Sequence, residues 1–424
     1  MATLEMPYGH TLLKVTLPDH WLGEVAALRT VTPAPEVHAL LASALSQPIG
    51  SPPLSQLAKP GQTAAVIVDD YTRKTPVRQF LPLVLEQLLA AGIGQRDIRI
   101  VIALGTHRLM TESEIVAKLG ADVARQVEIV NGPGASESDV VYLGASSSGI
   151  PAWINRAVAE ADVRVGLGMI TPHMDAGFSG GAKIILPGVC GVRTVDAFHA
   201  ASAFTPENQL GSAAAPLRRS LEQFVAERVP LHFIVNVILT PDGGIVQCVA
   251  GDCIEAHRAG VKVAQAVFGV SIQRRYPIVV AGCYPYDIDW WQSAKGVWSG
   301  DRMTADGGTL VVVTAAPESH SNYSLLPHYM GRDPDELKQE IEAGRAADAK
   351  QAATGVMFGD LRKRINLVLV SDGLTPADAD AMRMPNYVSV EDAVADAVGR
   401  LPEAQRRGCV GVIPQAGIAL PLVE

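Results

Sequence analysis

Short apolar runs and longer amphipathic stretches alternate along most of the chain. From about residue 64 onward the runs are rich in valine and isoleucine, a pattern typical of parallel α/β layers. The amphipathic stretches predict helices at about 77–91 and 254–268, and Thr111-Glu-Ser-Glu114 has the form of a capping box that begins a helix. The first sixty or so residues are rich in proline and predict no clear element. The runs predict strands at 64–68, 98–104, 163–170, 231–240 and 244–249.

A second set of apolar runs follows a polar break at 269–277. Asp333 and Pro334 have the form of a helix cap and a first helical residue. We therefore predict an α/β fold with a larger N-terminal domain, residues 1–272, that holds a mainly parallel sheet. A smaller C-terminal α/β domain, residues 273–424, completes it, and the last strand at 409–413 could belong to either domain. The remaining predicted elements are strands at 278–281, 308–314 and 365–370 and helices at 334–343, 377–384 and 391–401.

Composition and charge narrow the class of protein. Of 424 residues, 48% are hydrophobic and 19% are charged, which indicates folded domains with ample core. The net charge of −9 comes from interleaved acids and bases, so we expect neither nucleic acid nor a membrane as a partner. The five cysteines are scattered without CxxC spacing, and the N-terminus lacks a signal pattern. These features predict a cytoplasmic protein with reduced thiols.

Polar side chains follow three of the predicted strands directly. Asp70 and Arg73 come after the first strand, His107 after the second and His173 after the strand at 163–170. Ligands of open parallel sheets bind beyond the carboxyl ends of the strands. We therefore expect these side chains to converge, in a cleft between the two domains.

The stretch 171–200 carries an unusual density of glycine, histidine and one lysine. Lys183 follows Gly177 at the spacing of a phosphate loop, but Ala182 replaces the second glycine and Ile184 replaces the hydroxyl that binds magnesium. The sequence therefore does not predict a nucleotide triphosphatase. What remains is a lysine suited to covalent attachment through its amine, or a surface lysine after a glycine turn.

Three histidines, two of them in this stretch, are candidates for a metal ligand and for an acid/base pair. His107, His173 and His199 could each be structural, but a site with one histidine ligand beside a lysine-attached cofactor fits all of them, with the other two as acid and base. Arg73 and Lys295 are candidates for holding a carboxylate. Gln292 shares a helical face with Lys295, while Asp69 and Asp70 could hold a ribose or cap a helix.

Together these motifs resemble the nickel-dependent lactate racemase family, the 2-hydroxyacid racemases and epimerases that use a nickel-pincer nucleotide. The spacings of ten residues from His173 to Lys183 and sixteen from Lys183 to His199 match that family. Departures lie beside the site, at Lys74 and Trp290-Trp291, and leave the hydroxyacid open. The motifs that carry the resemblance are Asp70-Tyr-Thr-Arg73, Gly105-Thr-His107, Thr171-Pro-His173, Gly180-Gly-Ala-Lys183 with the following Pro187-Gly188, His199 in Ala-Phe-His-Ala, and Gln292 with Lys295.

The resemblance implies a role for each of these residues. Lys183 would form a thioamide to the cofactor, pyridinium-3-thioamide-5-thiocarboxylic acid mononucleotide, and His199 would complete its square-planar nickel site. His107 and His173 would be the acid/base pair, and proteins for cofactor synthesis and nickel insertion would be partners. The implied cofactor contacts are Asp70, Tyr71, Thr72 and Arg73, and the implied contacts to a small-molecule 2-hydroxyacid are Arg73, Gln292 and Lys295.

The implied reaction is inversion of C2 by hydride transfer, and two other hypotheses stay open. In one, Lys183 is a Schiff-base lysine for pyridoxal phosphate (PLP) or a carbonyl substrate. In the other, the protein binds hydroxyacids or sugar acids without turnover. Lys74, Arg302 and His320 are candidates for extra contacts to a sugar acid or a dicarboxylate.

Overall fold

The computed structural model describes residues 1–132, 137–205 and 208–423. Its strands are β1 (Ala2–Tyr8), β2 (Thr11–Leu17), β3 (Leu22–Val25), β4 (Ala64–Asp69), β5 (Ile98–Ala103), β6 (Glu128–Val130), β7 (Val140–Ala145), β8 (Pro151–Asn155), β9 (Val163–Met169), β10 (Pro172–His173), β11 (Gly177–Phe178), β12 (Phe233–Leu239), β13 (Ile245–Gly251), β14 (Gly269–Ile272), β15 (Tyr276–Gly282), β16 (Thr304–Val313), β17 (Asn366–Val370), β18 (Val410–Ile413) and β19 (Leu420–Val423).

The α-helices alternate with these strands. They are α1 (Val37–Ser46), α2 (Leu54–Leu57), α3 (Leu81–Ala90), α4 (Glu112–Leu119), α5 (Ala121–Gln126), α6 (Arg156–Ala159), α7 (Val192–Ala200), α8 (Pro216–Arg228), α9 (Glu255–Phe268), α10 (Trp290–Met303), α11 (Leu326–Met330), α12 (Pro334–Glu342), α13 (Ala349–Arg362), α14 (Pro376–Met382) and α15 (Val390–Gly399). Short 3-10 helices lie at Val77–Gln79, Gln95–Asp97, Glu137–Asp139, Gly181–Ile184, Ala201–Phe204 and Glu403–Gln405.

The larger sheet has the strand order β13-β12-β9-β4-β5-β6. All neighbours are parallel except β12 and β13, which confirms the predicted mainly parallel sheet. Every residue of β4 and β12 is buried, as expected of apolar strands covered on both faces. One face packs on α8 and α9, for example at Leu221 and Ala264, and the other on α1 and α3, at Leu41 and Val84.

The second sheet is fully parallel, with the strand order β17-β16-β15-β18-β3. The closing strand β18 thus lies in this sheet and not in the larger one. The first residues of the chain also differ from the prediction that placed them in the larger domain: β3 is the edge strand of the second sheet, and the β1-β2 hairpin packs on it through Met6, Val15 and Leu17. No described helix combines the length and apolar composition that a membrane crossing requires.

Local signals mark the helix ends. Thr111 and Glu114 form the predicted capping box of α4, and Asp333 caps α12 with Pro334 in its first turn. The predicted helix at 77–91 is instead a 3-10 turn followed by α3, since Phe80 adopts a non-helical conformation between them. β9, β4 and β5 are parallel neighbours, so their carboxyl ends share one edge of the sheet.

Candidate active site

A cleft lies at this edge of the larger sheet, facing the start of α10. It contains about 1120 Å³ of empty space, including its solvent-open mouth, which is ample for a small cofactor or substrate. Eight of the residues predicted from the sequence line it together: Asp70, Arg73, His107, His173, Lys183, His199, Gln292 and Lys295.

Tyr71 and Thr72, which were also predicted to contact the cofactor, are not among the residues lining this cleft. The Thr72 hydroxyl donates to Asp70 Oδ1 at 2.5 Å and accepts from Arg73 Nη1 at 2.6 Å. The guanidinium of Arg108 lies over the ring of Tyr71, 3.9 Å from its centroid. In this structure both residues support their neighbours in the turn that carries Asp70 and Arg73.

Lys183 is delivered into the cleft by a loop that requires glycine. Gly180 and Gly181 have φ values of +74° and +59°, and a Cβ on Gly180 would lie 2.7 Å from Asn236 Oδ1. Lys183 is partly buried, and its amine has no hydrogen-bond partner among the described residues. Burial and the nearby cations of Arg73 and Arg218 lower the pKa of Lys183 to about 7. About half of such an amine is neutral at pH 7 and can act as a nucleophile.

Arg218 in α8 holds the backbone of this loop in place, a role that the sequence did not reveal. It is 0% exposed, and its guanidinium donates to the carbonyl oxygens of Ala176 at 3.1 Å, of Gly180 at 3.2 Å and of Phe178. Glu222, one helical turn further on, lies 3.7 Å from it. One buried cation therefore links three carbonyls of the glycine-rich turn, of which those of Ala176 and Gly180 also accept from the backbone N–H groups of Phe178 and Lys183.

Replacing Arg218 with methionine is expected to lower the free energy of unfolding by about 3–5 kcal/mol, because three buried carbonyls each lose a hydrogen bond and the buried Glu222 loses a cationic neighbour. Urea unfolding followed by circular dichroism measures this difference. The neighbouring Arg219 is exposed, so Arg219→Met is the matched control and should unfold like the wild-type protein. Equal unfolding free energies for the two variants would contradict this role of Arg218.

His199 presents one free ring nitrogen. Its Nδ1 donates to the carbonyl of Val195 at 2.9 Å, so Nε2 keeps its lone pair. Burial lowers the pKa of His199 to about 4, which keeps the imidazole neutral at pH 7, the form that binds metals. The described residues contain no group of three or more His, Cys, Asp or Glu side chains that could hold a metal ion. A metal bound here would thus need most of its ligands from a cofactor.

His107 is paired with the buried carboxylate of Asp70. Its Nδ1 donates to Asp70 Oδ2, and although burial opposes ionisation, His107 and Arg73 hold the pKa of Asp70 below its ordinary value. The Gln292 side-chain oxygen accepts from Lys295 and, at 3.4 Å, from Arg73, so its amide nitrogen donates to His107 Nε2 at 3.0 Å. The Nε2 lone pair of His107 therefore accepts from Gln292 in this structure and becomes available when Gln292 turns to a ligand, and the carboxylate behind the ring would stabilise its protonated form.

His173 is the opposite tautomer to His107. Its Nδ1 accepts a hydrogen bond from the backbone N–H of Asp175 at 3.2 Å, which places the proton of the neutral ring on Nε2. Burial, followed by the charges of Lys183, Lys295 and Arg73, holds the pKa of His173 well below its ordinary value. In this state one histidine offers the cleft an acceptor and the other a donor.

Arg73 and Lys295 form a cationic pair with no acidic partner within ion-pair distance among the described residues. Both lie over the ring of Tyr286, with Arg73 at 5.4 Å and Lys295 at 4.3 Å from its centroid. Gln292 and Lys295 share one face of α10, as predicted, and Asp289 caps this helix through the Gln292 N–H at 2.7 Å. Two unpaired cations and an amide suit a carboxylate ligand.

The cleft also contains residues that the sequence did not single out. The rings of Trp291 and Tyr323 stack with centroids 4.2 Å apart, and Asn236 accepts from the Gly181 N–H at 2.8 Å. Asp175 and Met174 line the cleft beside His173. The position of Asp175 two residues after His173 was the only available signal, because the other contacts join distant parts of the chain.

The fold and the cleft are those of an α/β enzyme that acts on a small molecule. The family model for the lactate racemase N-terminal domain matches residues 8–211. The lactate racemase of Lactiplantibacillus plantarum is 30% identical over 424 residues, covering 98% of this chain and 98% of that protein. The lactate racemase of Thermoanaerobacterium thermosaccharolyticum is 30% identical over 349 residues, covering 80% of this chain and 81% of that protein. The chain belongs to the lactate racemase family, and it is an isomerase of the racemase and epimerase class.

Solved structures agree with this assignment. The lactate racemase apoprotein from Thermoanaerobacterium thermosaccharolyticum superposes with a TM-score of 0.87 at 26% identity, covering 99% of this chain and 100% of that one. A Thermotoga maritima protein at 20% identity shares the fold, with a TM-score of 0.68 over 88% of this chain and 96% of that one. The resemblance stated from sequence motifs is confirmed.

Proposed function

We propose that this protein inverts C2 of a 2-hydroxyacid by hydride transfer to and from a nickel-pincer nucleotide attached to Lys183. The observation that carries the proposal is the pairing, in one cleft, of an unpartnered amine of lowered pKa with a neutral imidazole, His199, whose Nε2 is free. These two groups fit the cofactor, since one can form the thioamide and the other can supply the single protein ligand to nickel. When bound there, the group would supply a reversible hydride acceptor for C2.

The protein's own residues bind the substrate and move its proton. Arg73, Lys295 and Gln292 hold the carboxylate, replacing the hydrogen bonds that these side chains make to one another in this structure. His107 takes the hydroxyl proton through its Nε2 lone pair, and Asp70 stabilises the charge that this creates. His173 donates its Nε2–H to the same oxygen.

Inversion of the other enantiomer requires the histidines to exchange roles. The charge of Lys183 is, after burial, the largest factor that opposes protonation of His173. Attachment converts this ammonium into an uncharged group, which removes one of the charges that lower the pKa of His173. Covalent attachment of the cofactor would then also prepare the second histidine for proton transfer. The proposal further implies that proteins for cofactor synthesis and nickel insertion act on this chain.

The test is a panel of enantiopure hydroxyacids incubated with protein co-expressed with the cofactor-synthesis proteins. We expect chiral chromatography to show the inverted product from at least one of lactate, malate, phenyllactate and gluconate. Protein made without the synthesis proteins is the control and should be inactive. Failure of nickel-loaded protein to invert any of the four would count against the proposed function.

The lowered pKa of Lys183 also suits a Schiff base with pyridoxal phosphate or a carbonyl substrate. That alternative predicts a visible absorbance that borohydride removes with fixation of the ligand on Lys183. A binding protein without turnover, the third hypothesis, predicts thermal stabilisation by hydroxyacids in the absence of inversion. The same preparations used for the panel distinguish these outcomes.

A further inference from the structure

Asp175 is a carboxylate in the cleft with no role in the proposed chemistry. It lies between β10 and β11, two residues after His173, it is 7% exposed, and it lines the cleft. No described residue donates a hydrogen bond to its side chain or forms an ion pair with it. Buried carboxylates in proteins are normally paired or hydrogen-bonded, because an unpaired charge is costly to desolvate.

The surroundings of Asp175 do not offer a structural reason for the charge. Burial raises the pKa of Asp175 to about 6, and the more distant cations Lys183 and Lys295 only partly offset that effect. Its backbone N–H orients His173, but any residue other than proline would supply that donor. The carboxylate therefore destabilises the folded protein as it stands, which is typical of groups kept for a ligand.

We propose that Asp175 selects the substrate by accepting a hydrogen bond from a hydroxyl carried beyond C2, so that the substrate is a polyhydroxylated acid of the sugar-acid type. This assignment rests on the proposed function, because it concerns the same cleft. An ionised carboxylate is an acceptor only, so its natural partners are hydroxyl donors. A second carboxylate at the same place would be repelled.

The positions of the cationic side chains also argue against a dicarboxylate substrate. Among the described lining residues the lysines and arginines are Arg73, Lys183 and Lys295, and the proposed chemistry uses all three. The side chains considered for a second carboxylate do not line the cleft. Lys74 donates to the Tyr284 hydroxyl at 2.6 Å, Arg302 to the carbonyls of Pro421 and Leu210 at 3.0 and 2.7 Å, and His320 lies 3.9 Å from Asp378.

Other parts of the lining suit a chain with several hydroxyls. The hydroxyl protons of Ser202 and Thr354 are directed to the carbonyls of His199 at 2.6 Å and Lys350 at 3.1 Å, which leaves their oxygens as acceptors. The stacked rings of Trp291 and Tyr323 give a flat surface for C–H groups. Acceptors beside an aromatic wall match alternating C–H and O–H groups better than a simple alkyl chain.

The experiment compares D-gluconate, 2-hydroxyhexanoate and L-malate as substrates of cofactor-loaded enzyme. Gluconate and 2-hydroxyhexanoate have the same chain length and differ in the hydroxyls beyond C2. We expect kcat/KM for gluconate to exceed that for 2-hydroxyhexanoate by at least about tenfold, the value of one charge-assisted hydrogen bond. Asp175→Asn should reduce this ratio about tenfold, Asp175→Ala should reduce it further, and both should raise kcat/KM for malate.

Two further measurements separate substrate selection from a structural role. Glu86 is an exposed carboxylate on α3, so Glu86→Gln removes a charge of the same sign outside the cleft. This control variant should have the wild-type kcat/KM for all three substrates. Thermal unfolding of Asp175→Asn should show a Tm equal to or above that of the wild-type protein, because an unpaired buried charge is removed. A lower Tm would show a structural role and overturn the assignment.

The remaining outcomes are also decisive. Preference of the wild-type enzyme for 2-hydroxyhexanoate or malate, or an unchanged ratio in Asp175→Asn, would overturn the role of Asp175 while leaving the racemase proposal intact. Absence of inversion for all three acids and for the rest of the hydroxyacid panel would instead remove the proposed function, and the substrate assignment with it.

Discussion

A Lys183→Ala variant is expected to carry no cofactor and to have no inversion activity. The amine is the only proposed point of covalent attachment, and its lowered pKa of about 7 marks it as the nucleophile of the cleft. Intact-protein and peptide mass spectrometry, after co-expression with the synthesis proteins, measure the adduct directly. Lys262 is exposed on α9, so Lys262→Ala is the matched control and should carry the adduct in full.

The same pKa gives attachment a defined pH dependence. Only the neutral amine attacks, so the rate of adduct formation should rise through pH 7, from roughly one tenth of its limit one unit below the pKa to nine tenths one unit above. Lys183→Arg keeps a positive charge but cannot form the bond, and should behave like the alanine variant. An adduct found on any other residue would contradict the assignment.

Replacing either acid/base histidine is expected to lower kcat by about 10²–10⁴-fold in both directions of inversion. Each conversion of one enantiomer into the other uses one histidine to remove the hydroxyl proton and the other to return it. Loss of either His107 or His173 should therefore slow both directions. Chiral chromatography of His107→Ala and His173→Ala, started from each pure enantiomer, measures it.

Adduct formation provides the internal control for these two variants. Lys183 and His199 are intact in both, so mass spectrometry should still detect the cofactor. Asp70→Asn should lower kcat through His107, since it removes the carboxylate that orients the ring and stabilises its protonated form. A kcat near the wild-type value in His107→Ala or His173→Ala would contradict the two-histidine mechanism.

The parts of the fold that the sequence predicted are those in which one face or both faces are buried. β4, β5 and β9 were located to within a residue at each end, because apolar runs rich in valine and isoleucine occur where a strand is covered on both sides. The convergence of Asp70, His107 and His173 followed from the rule that neighbouring parallel strands end at one edge. These predictions needed no knowledge of distant contacts.

The missed features depend on contacts between distant residues or on weak local patterns. β1 to β3 are short, partly exposed strands in a proline-rich segment, so their apolar periodicity is faint. Arg218 looks like any charged residue of an amphipathic helix until the three carbonyls that it binds are seen. Asp175 is notable only because no partner reaches it.

The position of β3 has a consequence for how the protein is made. Val25 pairs with Val412 at the edge of the second sheet, although 387 residues separate them in the chain. β3 is synthesised early and therefore has no partner strand in this sheet until almost all of the polypeptide has been made. Loop closure over such a separation is slow, so completion of this edge should be a late event in biosynthetic folding, after the larger sheet has already formed.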